Sequence, residues 1–394
     1  MNHSKTVDFV PVMNHNHSVY VTTVFVLLIF GFFIATLLKT PDEKSETENR
    51  VLQQMPEISA ESIFSGEFEE DYETYLSDQF IGRNKWITLK TGFERATLRQ
   101  EADDVYFAKD DYLIEKHTGT FTSDTAKASI SYLSQFTGRL SETMDAAHLT
   151  VMVVPNAVDI LRDYLPAFAD PYDEEDYLDQ VRSALPEGVF FDTSSVLTAM
   201  KDEGKQVYYR TDHHWTTDAA FAVYSAWAKT KGIAEPSIDD YTVTDVTDSF
   251  EGTVASKLGI TGRSDTIRRY DELEAVDYYL TYNQSDDVRA SVYQESYLDQ
   301  KDKYAYFYGG NFGLIEAKMP ENATGRKLLI IKDSYAHCFT PFTYADFDQV
   351  DMLDPRYYNS SISKLMEEKQ YTDVLFLFNA SGFAEETSLA RLLT

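Results

Sequence analysis

The chain has 394 residues, enough for one large domain with additions or for two, and carries 35 Lys or Arg against 65 Asp or Glu, a formal net charge of −30. A surface this acidic repels phosphate backbones and argues against nucleic acid as a partner. Hydrophobic residues at 43% and aromatics at 14% exclude a disordered chain, and the single cysteine, Cys338, excludes an intramolecular disulfide or a zinc site built on several thiolates.

Val19–Leu38 (VYVTTVFVLLIFGFFIATLL) is a run of twenty residues without a charge. About 20 residues cross a bilayer as a helix, whereas a signal peptide has an apolar core of roughly 7–15 residues and small residues at its cleavage site. Lys39 and Thr40 follow directly with no such site, so the run reads as an uncleaved signal anchor, a cleaved peptide being the alternative. Flanking charge orients it weakly, because Lys5 precedes it while Lys39, Lys44 and Arg50 follow. Size is more decisive, with 18 residues before it and 356 after. The expectation is a cytoplasmic tail over residues 1–18, a transmembrane segment over 19–38, and the rest of the chain outside the cell.

Residues 40–49 (TPDEKSETEN) read as a solvated tether. Phe64, Phe68, Tyr72, Tyr75, Leu76 and Phe80 follow helical spacing, a stripe expected to pack on the main domain, and a second helical pattern runs from about Asn84 to Leu98. Residues 39–100 are thus expected to form a tether and helical segment ahead of one domain over 101–394. Val105–Ile114 reads as two short strands around a Lys-Asp-Asp turn. Leu149–Val154 (LTVMVV), Lys327–Ile331 (KLLII) and Val374–Phe378 (VLFLF) are continuous apolar runs, as in strands covered on both faces. Val189–Asp192 and Val207–Arg210 are shorter strand candidates, with helices expected at Ser194–Asp202 and Thr216–Thr230. Alternating strands and helices predict an α/β sandwich with a mainly parallel sheet. Residues 240–325 are less regular and read as an elaboration.

Ligands of such sheets bind at the carboxyl ends of strands, and three ends here carry useful side chains. Tyr208–Trp215 (YYRTDHHW) places Asp212 two positions from His214, where a carboxylate can fix the imidazole tautomer; a plain loop histidine pair is the alternative, and adjacent histidines fit a metal less well. Ile330–Cys338 (IIKDSYAHC) puts Ser334 at a strand-to-helix turn, where it is either a nucleophile or only a helix cap. Asn379 ends the third strand as an oxyanion donor or a turn residue, and Gly310-Asn311 forms a close-approach loop or a hairpin turn.

Thr211-Asp212-His213-His214-Trp215 resembles the motif that names the DHHW family of bacterial proteins. More broadly it is similar to the T-D-x-H-W motif of alginate O-acetyltransferases, whose catalytic domains are SGNH-hydrolase-like. Glu48-Asn49-Arg50, Phe64…Asp78-Gln79-Phe80…Arg83, Val105–Leu113 and Lys332-Asp333-Ser334 look like that family in the same order, so the resemblance covers roughly residues 48–394. It implies a three-layer α/β/α sandwich with Ser334 as nucleophile, His214 as base and Asp212 as its orienting partner, His213 falling at a variable position. Lys332 departs from the Gly-Asp-Ser of the broader SGNH family. Asn379 and Asn311 are the oxyanion candidates; Trp215, Tyr335, Gly310, Arg356 and Tyr357 are the candidates for substrate contact, with the tyrosines of Tyr304–Tyr308 and Tyr357–Tyr358 as sugar platforms. The implied activity is O-acetylation of an extracellular polysaccharide through an acyl-serine, supplied by a membrane-bound O-acyltransferase partner, without metal or cofactor. A polysaccharide acetyl esterase with the same triad and a non-catalytic carbohydrate-binding or assembly protein are the alternatives.

Overall fold

A computed structural model of the chain describes residues 15–45 and 50–394; the tail before His15 and the Glu48-Asn49 part of the resemblance lie outside them. The chain divides into two units, one ending at Leu89 and one running from Lys90 to Thr394. In the first, helix α1 (His15–Leu38) contains the uncharged run. Within His17–Leu38 the most apolar 18 residues have a mean hydropathy of 2.6 and none of them is buried, so the helix is long and apolar enough to cross a membrane. The aromatic stripe beyond it is split. Gly66 sits at φ 84°, a conformation open to glycine, and this separates the helix Ala60–Ser65 from Glu67–Gln79. The rings stack within the unit, Phe68 on Tyr72, Tyr72 on Tyr75, with Phe80 beside Phe32.

The second unit is built on a seven-stranded sheet among the described residues. Its strands are β1 (Leu149–Val154), β2 (Tyr279–Tyr282), β3 (Val288–Arg289), β4 (Leu314–Lys318), β5 (Lys327–Lys332), β6 (Gln349–Leu353) and β7 (Asp373–Asn379), in the spatial order β3-β2-β4-β6-β5-β7-β1. Strand β5 pairs parallel with both β6 and β7, and β7 pairs parallel with β1. The pairings β3–β2, β2–β4 and β4–β6 are antiparallel. The expected mainly parallel sheet is therefore corrected to a mixed one. All three antiparallel additions come from the irregular stretch 240–325, and β4 (LIEAK) carries Glu316 at its centre, so it lacks the continuous apolar run that marks a parallel strand.

Alternation along the parallel strands makes the two layers. Val151, Val153, Leu329, Ile331, Val374, Phe376 and Phe378 share one core with α2 (Asp124–Leu140) and α3 (Glu174–Ala184). Met152, Val154, Leu328, Ile330, Leu375 and Leu377 share the other with α4 (Ser194–Asp202) and α5 (Thr217–Thr230). Apart from Lys327 every residue of the three apolar runs is buried, which is why they show no polar alternation. Thr216 caps α5, its hydroxyl accepting from the Ala219 N–H. The strands Val105–Phe107 and Leu113–Glu115 form as expected, whereas Val189–Asp192 and Val207–Arg210 make only the isolated bridges Val151–Phe190 and Tyr208–Trp215.

Phe376 sits in the middle of β7, stacked 4.5 Å from Phe378 and edge-on to Phe383. Phe376→Ala should destabilise the fold by about 3–5 kcal/mol, read as a lowered unfolding midpoint.

Candidate active site

Because β1, β5, β6 and β7 are parallel, their carboxyl ends gather at one edge. Ser334 lies two residues past β5, Asn379 ends β7, Asn156 lies two residues past β1, and Asp354 follows β6 directly. The Thr211–Trp215 loop reaches the same edge. There His214 Nε2 stands 2.8 Å from Ser334 Oγ, and His214 Nδ1 stands 2.5 Å from Asp212 Oδ1. Asp212 Oδ1 also accepts the backbone N–H of His214 at 3.0 Å, while Oδ2 accepts from Thr253 N at 2.8 Å and Thr253 Oγ1 at 2.9 Å. Burial pushes the Asp212 carboxyl up, but His213, His214 and these donors together outweigh it and hold the group well below the usual carboxylate range. Burial, reinforced by His213 and opposed by Asp212, draws the His214 imidazole down to about 4. At neutral pH the ring is therefore neutral. With Nδ1–H given to the carboxylate, its lone pair lies on Nε2, facing the serine hydroxyl.

The family model described as DHHW protein matches residues 143–353, more than half of the chain. The chain belongs to the DHHW family. A DHHW family protein from Eubacterium siraeum DSM 15702 superimposes with a TM-score of 0.62 at 22% identity, over 74% of this chain and 95% of that one. PatB1 of Bacillus cereus superimposes at 0.59 with 19% identity, over 70% and 96% of the two chains. Its structure with a sulfonyl adduct gives 0.59 at 20% identity, over 72% and 98%. At these identities the likeness is one of fold. No curated protein sequence matches the chain.

The DHHW loop is braced from three sides. Trp215 is fully buried and donates its Nε1–H to the Tyr335 carbonyl at 2.9 Å, and the buried Tyr335 hydroxyl donates to the His213 carbonyl. Both aromatics thus tie the histidine loop to the serine turn, which corrects their expected place as substrate contacts: large rings at this spacing serve the core. Tyr304 stacks on His214 at 3.8 Å between ring centroids and gives its hydroxyl to the Ser334 carbonyl at 3.2 Å. Tyr304, Tyr306 and Tyr308 are all buried, so this segment is a wall of the core and not a sugar platform. Gly252 closes the third side. A Cβ there would stand 2.2 Å from Asp212 Cβ and 2.6 Å from Oδ2, so only glycine lets the Thr253 donors come so close.

The serine turn is fixed from below. Asp333 accepts from Tyr335 N at 2.8 Å, from Asn379 N at 2.8 Å and from Asn379 Nδ2 at 2.6 Å. The Asn379 oxygen accepts in turn from Asn156, Ser381 and Gly382. Asn379 does line the cavity, yet its amide is committed to holding this turn, which is why it sits at the strand end. Lys332 is fully buried. Its Nζ donates to His337 Nε2 at 2.8 Å and lies 3.4 Å from Asp354, which Arg356 grips with two bonds of 2.8 and 2.7 Å.

A cavity of about 470 Å³ opens over Ser334, walled by Asp104, Glu115, His117, Lys257, Arg356 and Glu385, with His213 beside them. Of the expected substrate contacts only Arg356 lines it. Gly310, Asn311 and the half-exposed Tyr357 lie outside its lining, the first two on a loop that follows Tyr308. Asp212, His213 and His214 offer ligand atoms within 4.8 Å of one another, but both nitrogens of His214 are spent on Asp212 and Ser334. Thr253, Gly252, Asn156 and Asp354 take part in the site without any pattern in the sequence that marks them.

Gly252→Ala should push this loop off Asp212. The expected result is a loss of about 1–3 kcal/mol in stability together with lost Ser334 reactivity, measured by thermal unfolding and by labelling with a sulfonyl fluoride.

Proposed function

We propose that this DHHW protein is a serine acyltransferase of SGNH-hydrolase-like architecture, an O-acetyltransferase acting on a cell-surface or secreted polysaccharide. The observation that carries the reading is the neutral His214 held between an ionised Asp212 and the Ser334 hydroxyl. His214 Nε2 takes the Ser334 proton as Oγ attacks the acetyl carbonyl of a donor. The proton then passes to the departing group, leaving acetyl on Ser334. A sugar hydroxyl next attacks that ester, His214 takes its proton, and Ser334 Oγ leaves and recovers the proton. Backbone N–H groups of the turn after Ser334 are the proposed oxyanion donors. A cavity walled by charged groups, imidazoles and hydroxyls suits a polyhydroxylated ligand better than an apolar one. The PatB1 fold has been obtained with a sulfonyl adduct, the product expected when an activated nucleophile meets a sulfonyl electrophile, and the same probe applies here.

The candidate span α1 would anchor the catalytic unit on the outer face of the membrane, near a membrane-bound O-acyltransferase that supplies the acyl group. The acceptor decides between transfer and hydrolysis. A well-oriented sugar hydroxyl has an effective molarity of about 10⁵ M or more and outcompetes water whenever the sugar site is filled.

The test uses the full chain in detergent with an aryl acetate, with and without oligosaccharides, read by mass spectrometry. Acetyl on Ser334 and then on sugar supports the proposal. Ester hydrolysis without any acetylated sugar would replace it with an esterase, and no acetyl-Ser334 would favour a binding protein. Ser334→Ala should abolish acetylation, while His214→Ala or Asp212→Ala should lower it by about 10²–10⁴-fold.

The pH profile follows from His214. Its neutral form is the base, and that form is lost as pH falls through about 4. Ser334 acetylation should therefore be flat near neutrality and fall about tenfold per unit below that value. A midpoint near the ordinary histidine value would mean the ring is solvated.

A further inference from the structure

His213 stands outside the Asp212–His214–Ser334 chain, yet its ring centroid is 4.0 Å from that of His214 and it lines the same cavity as Ser334. Its Nδ1 lies 2.8 Å from Thr253 Oγ1, and that oxygen lies 2.9 Å from Asp212 Oδ2. A threonine hydroxyl has one proton, and an ionised carboxylate can only accept. The proton therefore goes to Asp212, and Thr253 turns a lone pair toward His213. His213 Nδ1 must then be the protonated nitrogen. In a neutral imidazole this leaves Nε2 as an acceptor. Among the described residues none donates a hydrogen bond to it, and the side chain is 32% exposed. The ring is anchored through Thr253, and the backbone is anchored through the Tyr335 hydroxyl on the His213 carbonyl. The result is a ring held in place beside the base, with an acceptor nitrogen that has no partner among the described residues.

We propose that His213 Nε2 accepts a hydrogen bond from a second hydroxyl of the acceptor sugar, on the carbon next to the one being acylated, so that the enzyme selects vicinal diols. This rests on Ser334 being the acyl carrier. In the transfer step the attacking oxygen bonds to the acyl carbon and its proton goes to His214 Nε2. Ser334 Oγ leaves with the electron pair and takes that proton back. The neighbouring hydroxyl transfers nothing; it stays bonded to His213 and holds the sugar so that its partner faces the ester. A monohydric acceptor of the same shape leaves Nε2 to solvent and forgoes that hydrogen bond, and this is the source of discrimination.

The experiment acetylates the full chain on Ser334 with an aryl acetate and offers trans-cyclohexane-1,2-diol and cyclohexanol together. These probes share a ring and differ by one hydroxyl. Counted per hydroxyl, the native chain should acetylate the diol about threefold to tenfold more, the value of one hydrogen bond. In His213→Phe the ratio should fall to parity, and in His213→Gln, whose amide oxygen can also accept, part of it should return. Detectable acetyl-Ser334 certifies each variant as folded, and His213→Ala serves if phenylalanine disrupts the loop. Parity in the native chain, or a ratio unchanged in a folded variant, overturns the assignment of His213. Absence of acetyl-Ser334 in the native chain overturns the acyltransferase reading instead.

Discussion

One imidazole joins two loops that lie 120 residues apart in the chain, and the site depends on that ring keeping a single protonation state. His214 must be neutral, with its proton on Nδ1, for Nε2 to receive another. Two opposing effects secure this. Desolvation disfavours the imidazolium, and the buried carboxylate of Asp212 selects which nitrogen carries the remaining proton. Asp212 stays ionised against its burial because His213 and His214 favour the charged form and the Thr253 donors and the His214 N–H solvate it in place of water. Removing any of these donors would weaken the tautomer before it touched the serine.

Below the serine turn lies an unusual charge arrangement. Lys332 and Arg356 share the carboxylate of Asp354, Lys332 fully buried and Arg356 half-buried, with Glu386 3.9 Å from the Arg356 guanidinium. Burial draws the Lys332 ammonium down while Asp354 opposes it, and burial, reinforced by Lys332, keeps His337 neutral. The partly exposed Arg356 then reaches the cavity wall with its plane fixed by two parallel bonds. The lysine that replaces the glycine of the Gly-Asp-Ser pattern therefore points away from the cavity and supports the strand that follows β5. The backbone at Ser334 remains free of its side chain.

Asp212, His214 and Ser334 were legible because each sits in a short motif next to a strand end, where the local pattern and the chemistry coincide. The three continuous apolar runs were legible for a similar reason: burial on both faces leaves a mark in the sequence itself. Other features left none. The Gly252-Thr253 support is a tertiary contact across about 40 positions, and nothing in its own segment says which residue it meets. Trp215, Tyr335 and Tyr304 carry no mark of their place, because aromatics serve both sugar faces and cores, and only packing tells a core ring from an exposed one. The antiparallel edge was missed because β4 carries a charge and β2 and β3 are too short for periodicity to register.

The order in which the strands are made has a consequence of its own. Strand β7 is the last of the sheet to be synthesised, yet it lies between β5 and β1 and supplies all of the named pairing of β1. Asn379 at its end also holds Asp333, the residue next to the serine. A ribosome that has finished Ser334 has therefore not yet made Asn379, the residue that holds the serine turn from below. The turn is complete only when the chain has passed Gly382 and the sheet closes around its final strand.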